Sequence, residues 1–347
     1  MRLENLRVVP ALVMALSLSF TPGCLSVPDI GTDDPAKEQE DPGGGSGGGG
    51  DDGGSGGGGD SGGNPAELAQ RAYFVLQGSD LRSDDWPDAF AEYDVFVCNP
   101  SLDASQIATI RADFPDAVLL AYTNAQDMQW NPSTENPYLQ ALAAAIDESM
   151  LLRDLETGQV LRIQGYDGTP GSGIPMWVPQ TNSVDALVQF HVDQTMQVDW
   201  DGLYVDQCNA EMPNWRSNAV LEQSSQFDFD GDGFPDRIAD LKLAYANGRT
   251  YLTSQLRAAF PDAVIVGNSG GALLDPALNG ITLEGAGDRF SELEARTILE
   301  EAASVARGPW TAVLWVTTQE SVEVTAEISE DTDGVYFGTV SYFDARL

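Results

Sequence analysis

Residues 200–209 read WDGLYVDQCN and residues 280–288 read GITLEGAGD. In each, a glycine opens a run of apolar and β-branched residues suited to a buried strand, and the run stops at a carboxylate, Asp206 in the first and Glu284 in the second. Similar short runs recur along the chain at Ala72–Leu76, Val95–Cys98, Val118–Tyr122, Val264–Asn268, Ala312–Thr317 and Val335–Thr339. With Gly202–Asp206 and Ile281–Glu284 they make eight. Between them lie stretches with apolar residues three or four apart, predicting helices at Ser105–Asp113, Tyr138–Met150, Val184–Gln197, Arg237–Ala259 and Glu292–Val305.

Strands alternating with helices predict a parallel sheet, and eight of them within residues 65–347 predict an α/β fold of the (β/α)8 TIM-barrel class. A doubly wound sheet is the competing architecture. The long excursion Thr123–Asp201 would be an enlarged loop after the third strand, on the face where barrel enzymes build their sites. Two helix-to-strand junctions read alike: residues 111–118 are RADFPDAV and residues 257–264 are RAAFPDAV. Internal duplication and convergence on a good turn both account for this.

Polar residues that end barrel strands line its mouth, and here they are Gln77, Asn99, Tyr122, Asn124, Asp206, Asn209, Asn268, Glu284 and Thr317. Two carboxylates facing each other across the mouth suit glycosidic bond cleavage, which needs one ionised group and one protonated group. Capping a helix or pairing with an arginine is the structural alternative for each. Trp86, Trp130, Trp177, Trp215 and Trp315 fall in or beside the predicted upper loops, where aromatic faces could cover a sugar ring. Trp177 and Trp315 are taken as substrate contacts, and core packing is the alternative role for each tryptophan. His191 is the sole histidine and sits inside a predicted helix, so neither a zinc site nor a Ser-His-Asp triad has adequate material, and no cofactor is expected for catalysis.

Residues 228–236 read DFDGDGFPD. Asp228, Asp230, Asp232 and Asp236 fall at calcium-loop positions one, three, five and nine, and Phe234 falls where a backbone carbonyl ligates. The twelfth position is Ala239, so this is not a standard EF-hand. A structural Ca2+ is the expectation, against a solvated acidic turn.

Arg2 and Arg7 precede the apolar run Val8–Phe20, which is too short for a comfortable membrane span and ends in residues 21–24, TPGC. This resembles a bacterial lipoprotein signal, with Cys24 as the lipidated residue and residues 1–24 as the signal peptide. Ordinary cleavage is the alternative, because Thr21 and Pro22 depart from the usual pattern. Leu25 takes the place of the Asp linked to inner-membrane retention, which by the same resemblance implies the outer membrane or cell surface. Residues 25–64 are acidic and then almost wholly Gly, Ser and Asp, a tether that cannot bury a core. Cys98 and Cys208 remain as a disulfide or as two buried thiols.

The net charge of -37 divides into +1 for residues 1–24, -8 for residues 25–64 and -30 for residues 65–347. Such a field disfavours nucleic acid, anionic membrane surfaces and polyanionic substrates, and suits neutral or cationic partners. Solubility alone is the plainer reading.

The order of DGLYVDQCN, FPDAVIVGNSG and GITLEG over roughly residues 71–339 resembles glycoside hydrolase barrels of the kind called hypothetical glycosyl hydrolase family 15 and endo-α-1,4-polygalactosaminidase-like proteins. The resemblance implies hydrolysis of a poly- or oligosaccharide. By likeness to barrels of the α-galactosidase kind, it gives Asp206 the nucleophile's role and Glu284 that of acid/base in a retaining reaction. The competing functions are a catalytically silent barrel that binds glycan or protein, and a calcium-stiffened structural lipoprotein of the envelope.

Overall fold

The computed structural model describes residues 71–126, 135–162, 175–177, 180–212, 214–268, 274–284, 290–316, 328 and 334–339. Residues 1–70, Trp130, Thr317 and the side chain of Trp215 lie outside the described residues. Among those described, the strands β1 (Ala72–Leu76), β2 (Val95–Cys98), β3 (Val118–Asn124), β4 (Gly202–Asp206), β5 (Val264–Asn268), β6 (Gly280–Glu284), β7 (Ala312–Val316) and β8 (Val335–Thr339) form one sheet in chain order. Every neighbouring pair is parallel. β8 returns against β1, so the sheet curls into the nearly closed barrel of a (β/α)8 fold.

The helices are α1 (Ala104–Asp113), α2 (Pro137–Ala145), α3 (Thr181–Asp193), α4 (Asn214–Gln223), α5 (Ile238–Ala259) and α6 (Glu292–Val305). Two predicted helices are shorter than expected. Both end in separate 3-10 turns, Glu148–Met150 after α2 and Thr195–Gln197 after α3. Two 3-10 turns, Asp80–Arg82 and Asp88–Phe90, serve the β1–β2 connection.

Inside the barrel the side chains stack in levels supplied by alternate strands, because each tilted strand is staggered by about one residue from the next. Combining register with alternation puts Val97, Tyr204, Thr282 and Gly338 on one level, from the even strands. Phe74, Tyr122, Asn268 and Trp315, from the odd strands, lie on the level above. Ring contacts bear this out: Phe74 lies 5.2 Å from Trp315, 5.6 Å from Tyr204 and 6.1 Å from Tyr122, centroid to centroid. The interior is therefore a packed aromatic plug, and the next level up is the mouth. A larger apolar layer, including Ile107, Ile110, Leu187, Phe190, Leu252, Leu256 and Leu299, fills the space between sheet and helices.

The two similar junctions have the same geometry. Arg111 Nη1 donates to Ala117 O at 2.7 Å and Arg257 Nη1 donates to Ala263 O at 2.7 Å. Each arginine also donates through Nη2 to the residue just before an even strand, Asp201 or Asn279. That side chain in turn accepts from the backbone N–H of Leu119 or Ile265, respectively, at 2.7 and 2.9 Å. The glycine that follows is required by close approach: a Cβ at Gly202 would fall 1.7 Å from Val264 O, and one at Gly280 would fall 1.5 Å from Thr311 O.

Above the barrel, Arg153–Asp154 pairs antiparallel with Phe227–Asp228, and isolated bridges join Leu151 to Trp177, Arg153 to Val160 and Arg162 to Pro175. This small sheet has its own core of Leu152, Leu161, Met176, Met212, Val220, Phe227, Leu241 and Tyr245. The enlarged loop after β3 and the segment after β4 thus fold together.

Candidate active site at the barrel mouth

Asp206 and Glu284 are the last residues of β4 and β6, and both are half-buried. Asn268, at the end of the intervening β5, is 4% exposed. Its Nδ2 donates to Asp206 Oδ1 at 2.9 Å and to Glu284 Oε1 at 2.7 Å. One amide nitrogen therefore joins the two carboxylates. The two oxygens it holds can be no farther apart than those two lengths end to end, so the carboxylates face each other across the mouth.

Asp206 takes two further donors. Tyr122 Oη donates to Oδ2 at 2.6 Å, and the backbone N–H of Gln207 donates to Oδ1 at 2.7 Å. Gln207 has φ of 53°, a left-handed conformation that a side chain adopts at some cost. Under the pair lies Tyr204, fully buried, whose hydroxyl accepts from Trp315 Nε1 at 3.0 Å. Burial, then the negative charge of Asp206 and more weakly that of Glu284, pushes this hydroxyl well above the usual tyrosine range.

The other strand-end residues form the rest of the rim. Gln77 Oε1 accepts from Asn99 Nδ2 at 2.8 Å, and Asn99 Oδ1 accepts from Ser101 N and Oγ. Asn124 Nδ2 reaches Tyr122 Oη at 3.4 Å, and Asn209 Nδ2 reaches Gln207 Oε1 at 3.4 Å. All four residues are half-buried.

The expectations for the tryptophans need correction, and the two alternatives for the cysteines are resolved. Trp177 and Trp315 are 0% and 1% exposed, so neither offers a ring face to a sugar. Trp177 packs in the main core beneath the added sheet, and Trp315 belongs to the barrel plug. Trp86 is not in an upper loop either. Its Nε1 donates to Asp113 Oδ2 at 2.8 Å, at the end of α1 that leads back to the start of β3, opposite the mouth. Cys98 and Cys208 are free buried thiols. They end β2 and follow β4, with β3 between, so two strand spacings of about 4.8 Å separate them, more than a disulfide spans.

Sequence reasoning missed Tyr204 and Gln207. Alternation carried the signal for the first, since Tyr204 stands two residues before Asp206 and must share its face. Nothing in the sequence marks Gln207 as left-handed.

In the acidic loop, one carboxylate oxygen from each of Asp228, Asp230 and Asp236 lies within 4.8 Å of the others. Asp228 accepts from Gly231 N at 2.6 Å and Gly233 N at 2.9 Å, while Asp232 turns to accept from Phe234 N at 2.8 Å. Burial, and then the charges of Asp230, Asp228 and Asp232, push the Asp236 carboxyl above its ordinary range. The Phe234 side chain is 70% exposed.

Solved structures with a similar course of chain include a glycoside hydrolase domain variant of PelA from Pseudomonas aeruginosa, at 10% identity, covering 78% of this chain and 94% of that one with a TM-score of 0.47. An alpha-L-fucosidase isoenzyme from Paenibacillus thiaminolyticus is 12% identical over 79% of this chain and 46% of its own, with a TM-score of 0.44. An alpha-galactosidase from Lactobacillus brevis is 12% identical over 80% of this chain and 38% of its own, with a TM-score of 0.45. No family model and no curated protein matches the sequence.

Proposed function

We propose that the barrel is a retaining glycoside hydrolase acting on an extracellular poly- or oligosaccharide, with Asp206 as nucleophile and Glu284 as acid/base. The observation that carries this reading is the pair of half-buried carboxylates at the mouth, joined through the Asn268 amide. In the reaction Glu284 protonates the glycosidic oxygen as Asp206 attacks the anomeric carbon, so that the leaving sugar departs and a glycosyl ester forms. Glu284 then takes a proton from water, whose oxygen displaces Asp206. Asp206 suits the first role because its neighbours are hydrogen-bond donors, which an ionised carboxylate satisfies. Gln77, Asn99, Asn124 and Asn209 would meet the sugar hydroxyls around the rim.

In the same reading the domain is exported, anchored by a lipid on Cys24 and spaced from the envelope by residues 25–64. A calcium ion held by Asp228, Asp230 and Asp236 would relieve their repulsion and fasten the loop that leads into α5. The test is turnover by variants on whichever glycan the native protein cleaves, with reducing ends as the readout. Asp206→Asn and Glu284→Gln each keep the side-chain shape and are expected to lose at least about a hundredfold in kcat. Near-native turnover by either would remove it from the reaction.

A further inference from the structure

Tyr122 and Asn268 stand among the strand-end residues that sequence places at the mouth, yet both occupy the level beneath it. The Tyr122 ring is stacked on Tyr204 at 6.1 Å and 21°, and meets Phe74 edge-on at 6.1 Å. Its orientation is fixed by the plug before any ligand arrives. Asn268 is buried, and its backbone carbonyl accepts from Cys208 N at 2.6 Å, which ties the end of β5 to the turn after β4. From these anchored positions Tyr122 Oη meets Asp206 Oδ2 and Asn268 Nδ2 meets Asp206 Oδ1.

We infer that Tyr122 and Asn268 are positioning residues, which clamp the Asp206 carboxylate from both oxygens and hold it in its ionised form. This rests on the reading of Asp206 as nucleophile. A carboxylate with donors on both oxygens cannot rotate freely about its Cβ–Cγ bond, so the attacking group is oriented before substrate binds. The donors also stabilise the charged form over the protonated one, because protonation would place a hydrogen where a donor already points. Asn268 reaches Glu284 from the same nitrogen, so one side chain links the two carboxylates.

The experiment is a carboxyl-carbon NMR titration of the full-length protein labelled at aspartate, with the Asp206 resonance identified by its loss in Asp206→Asn. In Tyr122→Phe, the Asp206 midpoint is expected to move up by about one pH unit, and the acid limb of kcat to follow it, with KM changed less than kcat. Asn268→Ser is expected to shift the same resonance in the same direction, and serves if Tyr122→Phe does not fold. An unchanged midpoint in a folded variant would overturn the clamp. Loss of turnover in Asp206→Asn together with an unchanged midpoint would sink this inference alone, whereas full turnover in Asp206→Asn would sink the hydrolase reading itself.

Discussion

The residues that matter most are those whose partners are dictated by burial. His191 sits in α3 between Thr123 Oγ1 at 3.0 Å and Thr195 Oγ1 at 2.9 Å, and Thr195 also meets Tyr138 Oη at 3.0 Å. Complete burial lowers its imidazole to about 4 from an ordinary 6.5. The folded state therefore prefers the neutral ring, and the unfolded chain binds the extra proton between those values. This contribution to stability is intact above pH 6.5 and is lost as pH falls through 4, on the order of 2 kcal/mol of it by pH 5. Denaturant melts at pH 7 and pH 5 should show that loss in the native protein and a smaller one in His191→Gln; equal losses would contradict it. That a lone histidine inside an apolar helix is structural was legible from sequence. Its threonine partners were not, since Thr123 lies 68 residues away and on the outer face of β3.

At the scale of elements, sequence marked the barrel strands clearly because each is a short, largely apolar run bounded by turn residues, and most of the helices carry their period. The small sheet above the barrel was illegible for the opposite reason: strands as short as Arg153–Asp154 and Phe227–Asp228 contain no alternation to read. Helix α4 was missed as well, its sequence NWRSNAVLEQ lacking a clear apolar face. The likeness of residues 111–118 and 257–264 was visible in sequence, but not why it mattered. In both, an arginine folds over the helix end and gathers backbone carbonyls beneath the barrel. Arg257 is the more engaged, donating to Ala277 O at 2.8 Å, to Phe260 O and Pro261 O at 3.2 Å each, and to Ala263 O at 2.7 Å. Arg257→Met should cost roughly 2 to 3 kcal/mol by leaving these acceptors short of donors. Chemical denaturation would measure it, and a cost below about 0.5 kcal/mol would show that water replaces the guanidinium.

For the whole molecule, two expectations follow from composition and from the acidic loop. Removing residues 25–64 should leave the melting temperature unchanged, because a Gly-rich acidic segment offers no apolar surface to bury; a fall of several degrees would contradict this. Millimolar calcium should raise the melting temperature and chelator should lower it, since an ion bound only by the folded loop stabilises it by mass action. If neither changes stability and calorimetry detects no binding, Asp228, Asp230 and Asp236 form an acidic turn alone.

The central claim is that Asp206 and Glu284 act together across one sugar ring, and the stereochemistry of the product tests it most directly. Proton NMR of the first-formed reducing end, recorded before mutarotation, should show the anomeric configuration of the bond that was cleaved, as a closely spaced nucleophile and acid/base require. An inverted product would contradict the account, because inversion requires water rather than Asp206 to attack the anomeric carbon.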